Sequence, residues 1–203
     1  IKTSKSKEEV KKELHINEKY IVGYVGRFDI EEKGIDILIK AIPRIIENEK
    51  DIIFVFIGDG KNKTYLVNNT RNFVDSIRIS ETKKDIYNYM QVFDQIILPS
   101  RIDPFPLVML EAAYLKIPFI GSNVDGIAEF VNDNEDGLLF DKENYPELVE
   151  KVLLLITDKV YAEEIARKSK VKVMKYYSVN QKIKEYQNEY TSLISIKRIS
   201  AKT

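Results

Sequence analysis

The sequence predicts an α/β fold, a doubly wound parallel sheet of about six strands followed by a C-terminal helical flank, and three features carry that reading. Six short runs rich in β-branched and aromatic residues recur between residues 20 and 140. Helical patterns separate most of them. The runs are apolar nearly throughout rather than alternating, as strands are when helices cover both faces of the sheet.

Taken in order, Lys5–His15 reads as a charged amphipathic helix that leads into the domain, and Tyr20–Gly26 (YIVGYVG) as the first strand. Ile35–Glu47 repeats apolar residues at helical spacing, with Pro43 expected to kink it. Ile52–Gly58 (IIFVFIG) and Ser76–Ser80 (SIRIS) are the second and third strands, and Asp85–Met90 is a helix. Gln95–Ser100 (QIILPS) is the fourth strand, Pro104–Leu115 a helix, and Pro118–Ser122 and Asp136–Phe140 the last two strands. Strand patterns stop there. Pro146–Ile156, Lys159–Tyr177 and Val179–Ile196 form the helical flank, with Ser178 as N-cap of the last. The expected division is a lead-in over residues 1–17, one domain over 18–196 and a loose tail over 197–203.

Composition removes several chemistries. There is no cysteine, hence no disulfide, thiolate nucleophile or cysteine zinc site, and the lone His15 cannot build a histidine metal cluster. The 32 basic and 32 acidic side chains cancel, so no global field draws in nucleic acid. No apolar run approaches the roughly 18 residues of a membrane span, and no signal-peptide pattern opens the chain. A cytoplasmic protein is expected. Residue 1 is not methionine, which fits a processed chain or a piece of a longer one.

In such sheets ligands sit beyond the carboxyl ends of the strands, so the residues just after each strand are the candidates. Gly26 and Arg27 end the first strand, and Lys33–Gly34 precede the first long helix. Two cations and glycines beside a helix N-terminus suit a diphosphate, and they equally suit an exposed loop. Gly58 and Gly60 flank Asp59 after the second strand, where a tight turn asks for glycine as much as a ligand does. Neither a Walker loop nor a G-x-G-x-x-G fingerprint is present, which argues against a dinucleotide-dependent oxidoreductase.

The stretch LPSRIDPFPLVMLEAA, residues 98 to 113, says more. Asp103 sits in the loop after a strand, and Glu111 lies inside the helix that follows. If that helix starts near Pro104, Phe105–Val108 carry backbone N–H groups free for phosphate or sugar oxygens. Asp103 is read either as a ligand to hydroxyls or as a helix cap. Glu111 has Val108, Met109, Leu110, Ala112 and Ala113 around it. Burial of an unpaired charge costs several kcal/mol, on the order of what a structural site avoids, so a ligand or an internal cation such as Arg27 or Lys33 is its expected partner.

In this order the pieces resemble the nucleotide-sugar-binding C-terminal half of the retaining GT-B glycosyltransferases of group 1. The run comprises GR at 26–27, KG at 33–34, FIGDG at 56–60, VFDQIILPS at 92–100, DPFPLVMLEA at 103–112, PFIGSNVDGIAEFV at 118–131 and DGLLF at 136–140. The resemblance implies a Rossmann-like domain, one half of a GT-B fold, acting on a UDP-sugar or GDP-sugar donor with no cofactor and no metal. It implies catalytic roles for Arg27 and Lys33 on the diphosphate and for Asp103 on the sugar. Glu111 would hold the ribose, Gly26 and Gly58 would border the ligand, backbone near Pro106, Leu107 and Val108 would assist at the phosphates, and Ile79 would lie near the base. Asp103 stands where the family carries glutamate and is one methylene, about 1.5 Å, shorter. Pro106 and Asp125 stand where glycines are usual. The family's acceptor domain lies upstream, so the resemblance implies a sugar or lipid-linked acceptor held by a domain outside this chain. It further implies an inactive isolated fragment and a full-length protein at the inner face of the membrane, making surface polysaccharide, lipopolysaccharide or glycolipid. The alternative is a non-catalytic nucleotide-binding or scaffolding module whose sugar site has decayed. On this reading Lys33→Ala weakens ligand binding without unfolding the chain.

Overall fold

In the computed structural model, which describes residues 3–17 and 19–200, the six apolar runs become strands β1 (Tyr20–Val25), β2 (Ile52–Ile57), β3 (Ile77–Ser80), β4 (Gln95–Leu98), β5 (Phe119–Ser122) and β6 (Leu138–Phe140). All five strand pairings are parallel, and the order across the sheet is β3-β2-β1-β4-β5-β6. The expected doubly wound sheet is therefore present. Chain order reverses between β1 and β4, the two strands that begin the opposite-going halves.

Alternate residues of each strand feed two separate cores, which is why the strands carry so few polar residues. Val22, Phe54, Phe56, Ile97 and Ile120 pack on one side against α2 (Ile35–Asn48) and α7 (Tyr145–Thr157). Ile21, Val55, Ile57, Ile96 and Leu98 face the other side, toward α4 (Ile86–Met90), α5 (Leu107–Leu115) and α6 (Asp125–Phe130). The helix α1 (Lys7–Glu13) is closed by a capping box between Ser6 and Glu9, and Val10, Leu14 and Ile16 join that second core. The helices α8 (Lys159–Tyr176) and α9 (Val179–Ser200) complete the flank, and the Ser178 hydroxyl accepts from the Gln181 N–H as a cap should.

Two differences from the sequence reading have simple causes. The link between β2 and β3 holds a further helix, α3 (Lys63–Thr70), and a 3₁₀ turn over Arg71–Ser76. Only Leu66 and Thr70 of α3 are buried, so its sequence carries no apolar stripe to betray it. The α5 helix starts at Leu107 and not near Pro104, because Pro106 is extended (φ −71°, ψ 121°) and serves as its N-cap. At the end of the chain α9 runs to Ser200, and residues 201–203 of the expected tail lie outside the described ones. The helix α2 runs through Pro43 as one element.

Candidate functional site

The reversal between β1 and β4 opens a crevice at the carboxyl end of the sheet, and the loops after these two strands form its sides. The β1–α2 loop is built around Asp29, a buried residue whose Oδ1 accepts from the Glu32 N–H at 2.9 Å. That bond holds the Asp29 carboxyl below the usual carboxylate range, with Lys61 adding to the effect. The loop ends at Gly34, which is left-handed at φ +58°. A Cβ there would lie 2.1 Å from the Pro99 carbonyl oxygen, so only glycine lets the two loops meet backbone to backbone. Gly58 plays the same part after β2, where a Cβ would lie 1.9 Å from the Gly26 carbonyl oxygen.

That close approach brings Lys33 to Asp103. Lys33 Nζ donates to Asp103 Oδ2 at 2.7 Å across 70 residues of sequence, and the Ser100 hydroxyl donates to the same oxygen at 3.2 Å. Asp103 is only 5% exposed and is not a helix cap. Its own N–H donates to Asp125 Oδ2 at 3.0 Å. Asp125 is at φ +39°, a conformation that glycine adopts more readily than a residue with a side chain. Arg27 turns instead to Glu32, with which it pairs in a half-exposed contact. Both cations are thus held by acids from the loops around them.

Beyond Asp103 the chain enters α5. Pro106, the N-cap of this helix, has no N–H to offer, so the first open amides are those of the residues after it. The N–H groups of Leu107 and Val108 have no partner among the described residues, whereas that of Met109 turns back to the Pro106 carbonyl at 3.1 Å. Leu107 is 70% exposed, so solvent reaches this helix end. Glu111 finds its protein partner elsewhere. It is half-buried and contacts neither Arg27 nor Lys33; Tyr87 Oη donates to its Oε1 at 3.0 Å. The buried stripe of α5 runs through Met109, Ala112 and Ala113, and Glu111 sits about 200° around the helix from Met109. Burial raises the Tyr87 hydroxyl above the ordinary phenol range, and its bond to Glu111 adds to that.

A hollow of about 310 Å³ lies beside these groups, with Gly26, Arg27, Gly58, Asp59, Thr82 and Lys83 among its walls. Ile79 is not one of them. It packs on the opposite side of the sheet and borders a separate hollow with Val67 and Val74. A hollow of about 730 Å³ lies by Tyr20, Asp94 and Pro118 at the amino ends of the strands, away from the crevice. Among the described residues no group of three or more His, Asp or Glu side chains is placed to hold a metal ion, and no helix is long and apolar enough to cross a membrane.

Sequence reasoning passed over Tyr87, Thr82, Lys83 and Arg101. The first three sit after β3, whose short run and missing glycines mark no site. The guanidinium of Arg101 reaches Asp36 through Nη1 at 2.7 Å and Nη2 at 3.0 Å. Burial acts to raise the Asp36 carboxyl, but the bonds and charge of Arg101, helped by Lys40, hold it below the usual range.

The fold and this crevice define an α/β domain of the kind that takes a ligand at its topological switch point. Residues 5–172 match the family model described as "Glycosyl transferases group 1", and the chain belongs to that family. It is 34% identical over 170 residues to an uncharacterized glycosyltransferase of Methanocaldococcus jannaschii, covering 79% of this chain and 46% of that protein. The fold matches Anabaena HepE in complex with UDP at a TM-score of 0.80 and 21% identity, over 90% of this chain and 52% of that one. It also matches the C-terminal domain of a group 1 family protein, LpcC from Francisella tularensis, at a TM-score of 0.75 and 20% identity, over 87% of this chain and 95% of that one. The chain spans about half the length of the curated relatives it matches.

Proposed function

We propose that this chain is the donor-binding half of a retaining glycosyltransferase that moves a sugar from a UDP-sugar or GDP-sugar to an acceptor. The observation that carries the reading is the Lys33–Asp103 contact at the switch point, set before a helix whose Leu107 and Val108 N–H groups have no partner among the described residues. A cation, an acid and open helix N–H groups in one crevice match a ligand that is anionic at its diphosphate and hydroxylated at its sugar.

In this mechanism the incoming diphosphate takes Arg27 from Glu32 and Lys33 from Asp103. The two cations then neutralise the charge that develops on the departing nucleoside diphosphate, with the α5 N–H groups at its oxygens and no metal required. Asp103, released from Lys33, accepts from sugar hydroxyls. Glu111 accepts from the ribose diol, and Tyr87, already bonded to Oε1, leaves Oε2 for it. The hollow between Gly26, Gly58 and Thr82 takes the nucleoside. Residues 18–196 are the donor domain in this scheme, with 1–17 as lead-in. The acceptor, a sugar or lipid-linked sugar, belongs to an N-terminal domain outside this chain, so the chain alone turns over no donor. Cytoplasmic synthesis of surface polysaccharide, lipopolysaccharide or glycolipid, at the inner membrane face, fits such an acceptor.

Glu111→Gln tests the assignment by calorimetry with UDP and its 2′-deoxy counterpart. The ribose diol loses a charge-assisted acceptor, which costs about 1.5–3 kcal/mol, roughly ten- to a hundredfold in affinity. The Gln oxygen still accepts from Tyr87, so the melting temperature holds. If wild type prefers ribose and the variant keeps that preference, Glu111 does not hold the ribose.

A further inference from the structure

We propose that Arg101 is a positioning residue for the crevice, locking the Lys33 loop against the Asp103 loop at the spacing one diphosphate ligand needs. The inference rests on the donor-binding reading above. A guanidinium has five N–H donors in a planar fork, and all five of Arg101 are used. Nη1 and Nη2 take the two oxygens of Asp36 at 2.7 and 3.0 Å, Nε and Nη2 take those of Glu143, the latter at 2.7 Å, and the remaining Nη1 hydrogen goes to the Ile30 carbonyl. The side chain is 19% exposed.

The partners bracket Lys33. Ile30 and Asp36 are bound by the guanidinium, and the carbonyl of Glu32 accepts from the backbone N–H groups of Arg101 and Ile102 at 2.7 and 3.1 Å. Residues 30, 32 and 36 are therefore all tied to one residue, which itself stands two positions before Asp103. Glu143 adds the β6–α7 loop to the same knot and is held there in a left-handed conformation at φ +69°. Loops that must each release an ion pair on ligand entry need a fixed frame behind them, and Arg101 supplies it without touching the ligand. Shielded ion pairs are weak sources of net stability but good determinants of geometry. A lysine has neither the fork nor the donor count to replace it.

The test measures UDP affinity by calorimetry, well below each melting transition, for wild type, Arg101→Ala, Arg101→Lys, Lys33→Ala and the Arg101→Ala/Lys33→Ala double variant. Arg101→Ala should lose about tenfold or more, as small misplacements of a binding group do. Millimolar guanidinium, far below denaturing concentrations, should restore part of that loss. In the Lys33→Ala background Arg101→Ala should cost little further affinity, because it acts through Lys33. If the alanine variant does not fold, the lysine variant is expected to show the same loss in smaller measure. A lowered melting temperature with UDP affinity within about twofold of wild type assigns Arg101 to fold stability alone and overturns the proposal; a loss fully additive with that of Lys33→Ala shows that Arg101 does not act through Lys33 and overturns it as well. Absence of UDP and GDP binding by wild type removes the donor-binding reading, and this proposal with it.

Discussion

Removing the Lys33 side chain should destabilise this protein as well as weaken ligand binding. Lys33 is one of two groups on Asp103 Oδ2, at 2.7 Å, and the side chains are 20% and 7% exposed. Breaking a buried pair from one side costs about 3–5 kcal/mol, because the remaining charge stays desolvated. Lys33 is a fifth exposed and the Ser100 hydroxyl stays with Asp103, so Lys33→Ala should fall at or just below that range, at about 2–3 kcal/mol. The double variant Lys33→Ala/Asp103→Asn removes the stranded charge and keeps an acceptor for Ser100. It should recover to within about 1 kcal/mol of wild type. Urea unfolding reads both values, provided the m-value is unchanged. A loss below about 1 kcal/mol for Lys33→Ala, or a double variant no more stable than the single one, would show that the pair has no energetic weight in the ligand-free protein.

Two other features of the structure make distinct predictions. Gln95 is fully buried at the start of β4, and neither its Nε2 nor its Oε1 has a partner among the described residues, so Gln95→Met should raise stability by about 1–2 kcal/mol in urea unfolding; a loss would mean that ordered water satisfies the amide. Glu13 accepts from Lys5 at 2.5 Å and from Tyr89 at 2.5 Å, and these bonds lower its carboxyl to about 2. A depressed folded value means that the contribution to stability is present above the ordinary carboxylate range and is lost as pH falls toward 2. Titration of the Glu13 carboxyl by NMR should show a midpoint near 2 that rises in Tyr89→Phe, and an ordinary midpoint would remove the effect.

The strands, most helices and the parallel sheet were legible because their signals are local. Runs such as IIFVFI are apolar at every position only where both faces are covered, and a chain alternating strands and helices has few ways to do that. Gly34 and Gly58 could be marked as special from sequence, but the reason was not visible: each makes room for a carbonyl oxygen from another loop, Pro99 in one case and Gly26 in the other. The end of each strand located the crevice, since ligands in such sheets collect there. Which side chain meets which did not follow. Glu111 was read as a buried charge from its apolar neighbours, yet helix geometry turns it away from the Met109 stripe and toward Tyr87. Asp103 was read as a ligand group or a helix cap; it is not the cap, and its contact with Lys33 could not be read from the sequence. Arg101 had no signal at all, because a guanidinium that joins residues 30, 36 and 143 shows its partners only once three loops have been brought together. Backbone conformation and burial are written in short windows of sequence, whereas the pairing of charges depends on contacts between residues 40 to 70 positions apart, and only the folded chain decides those.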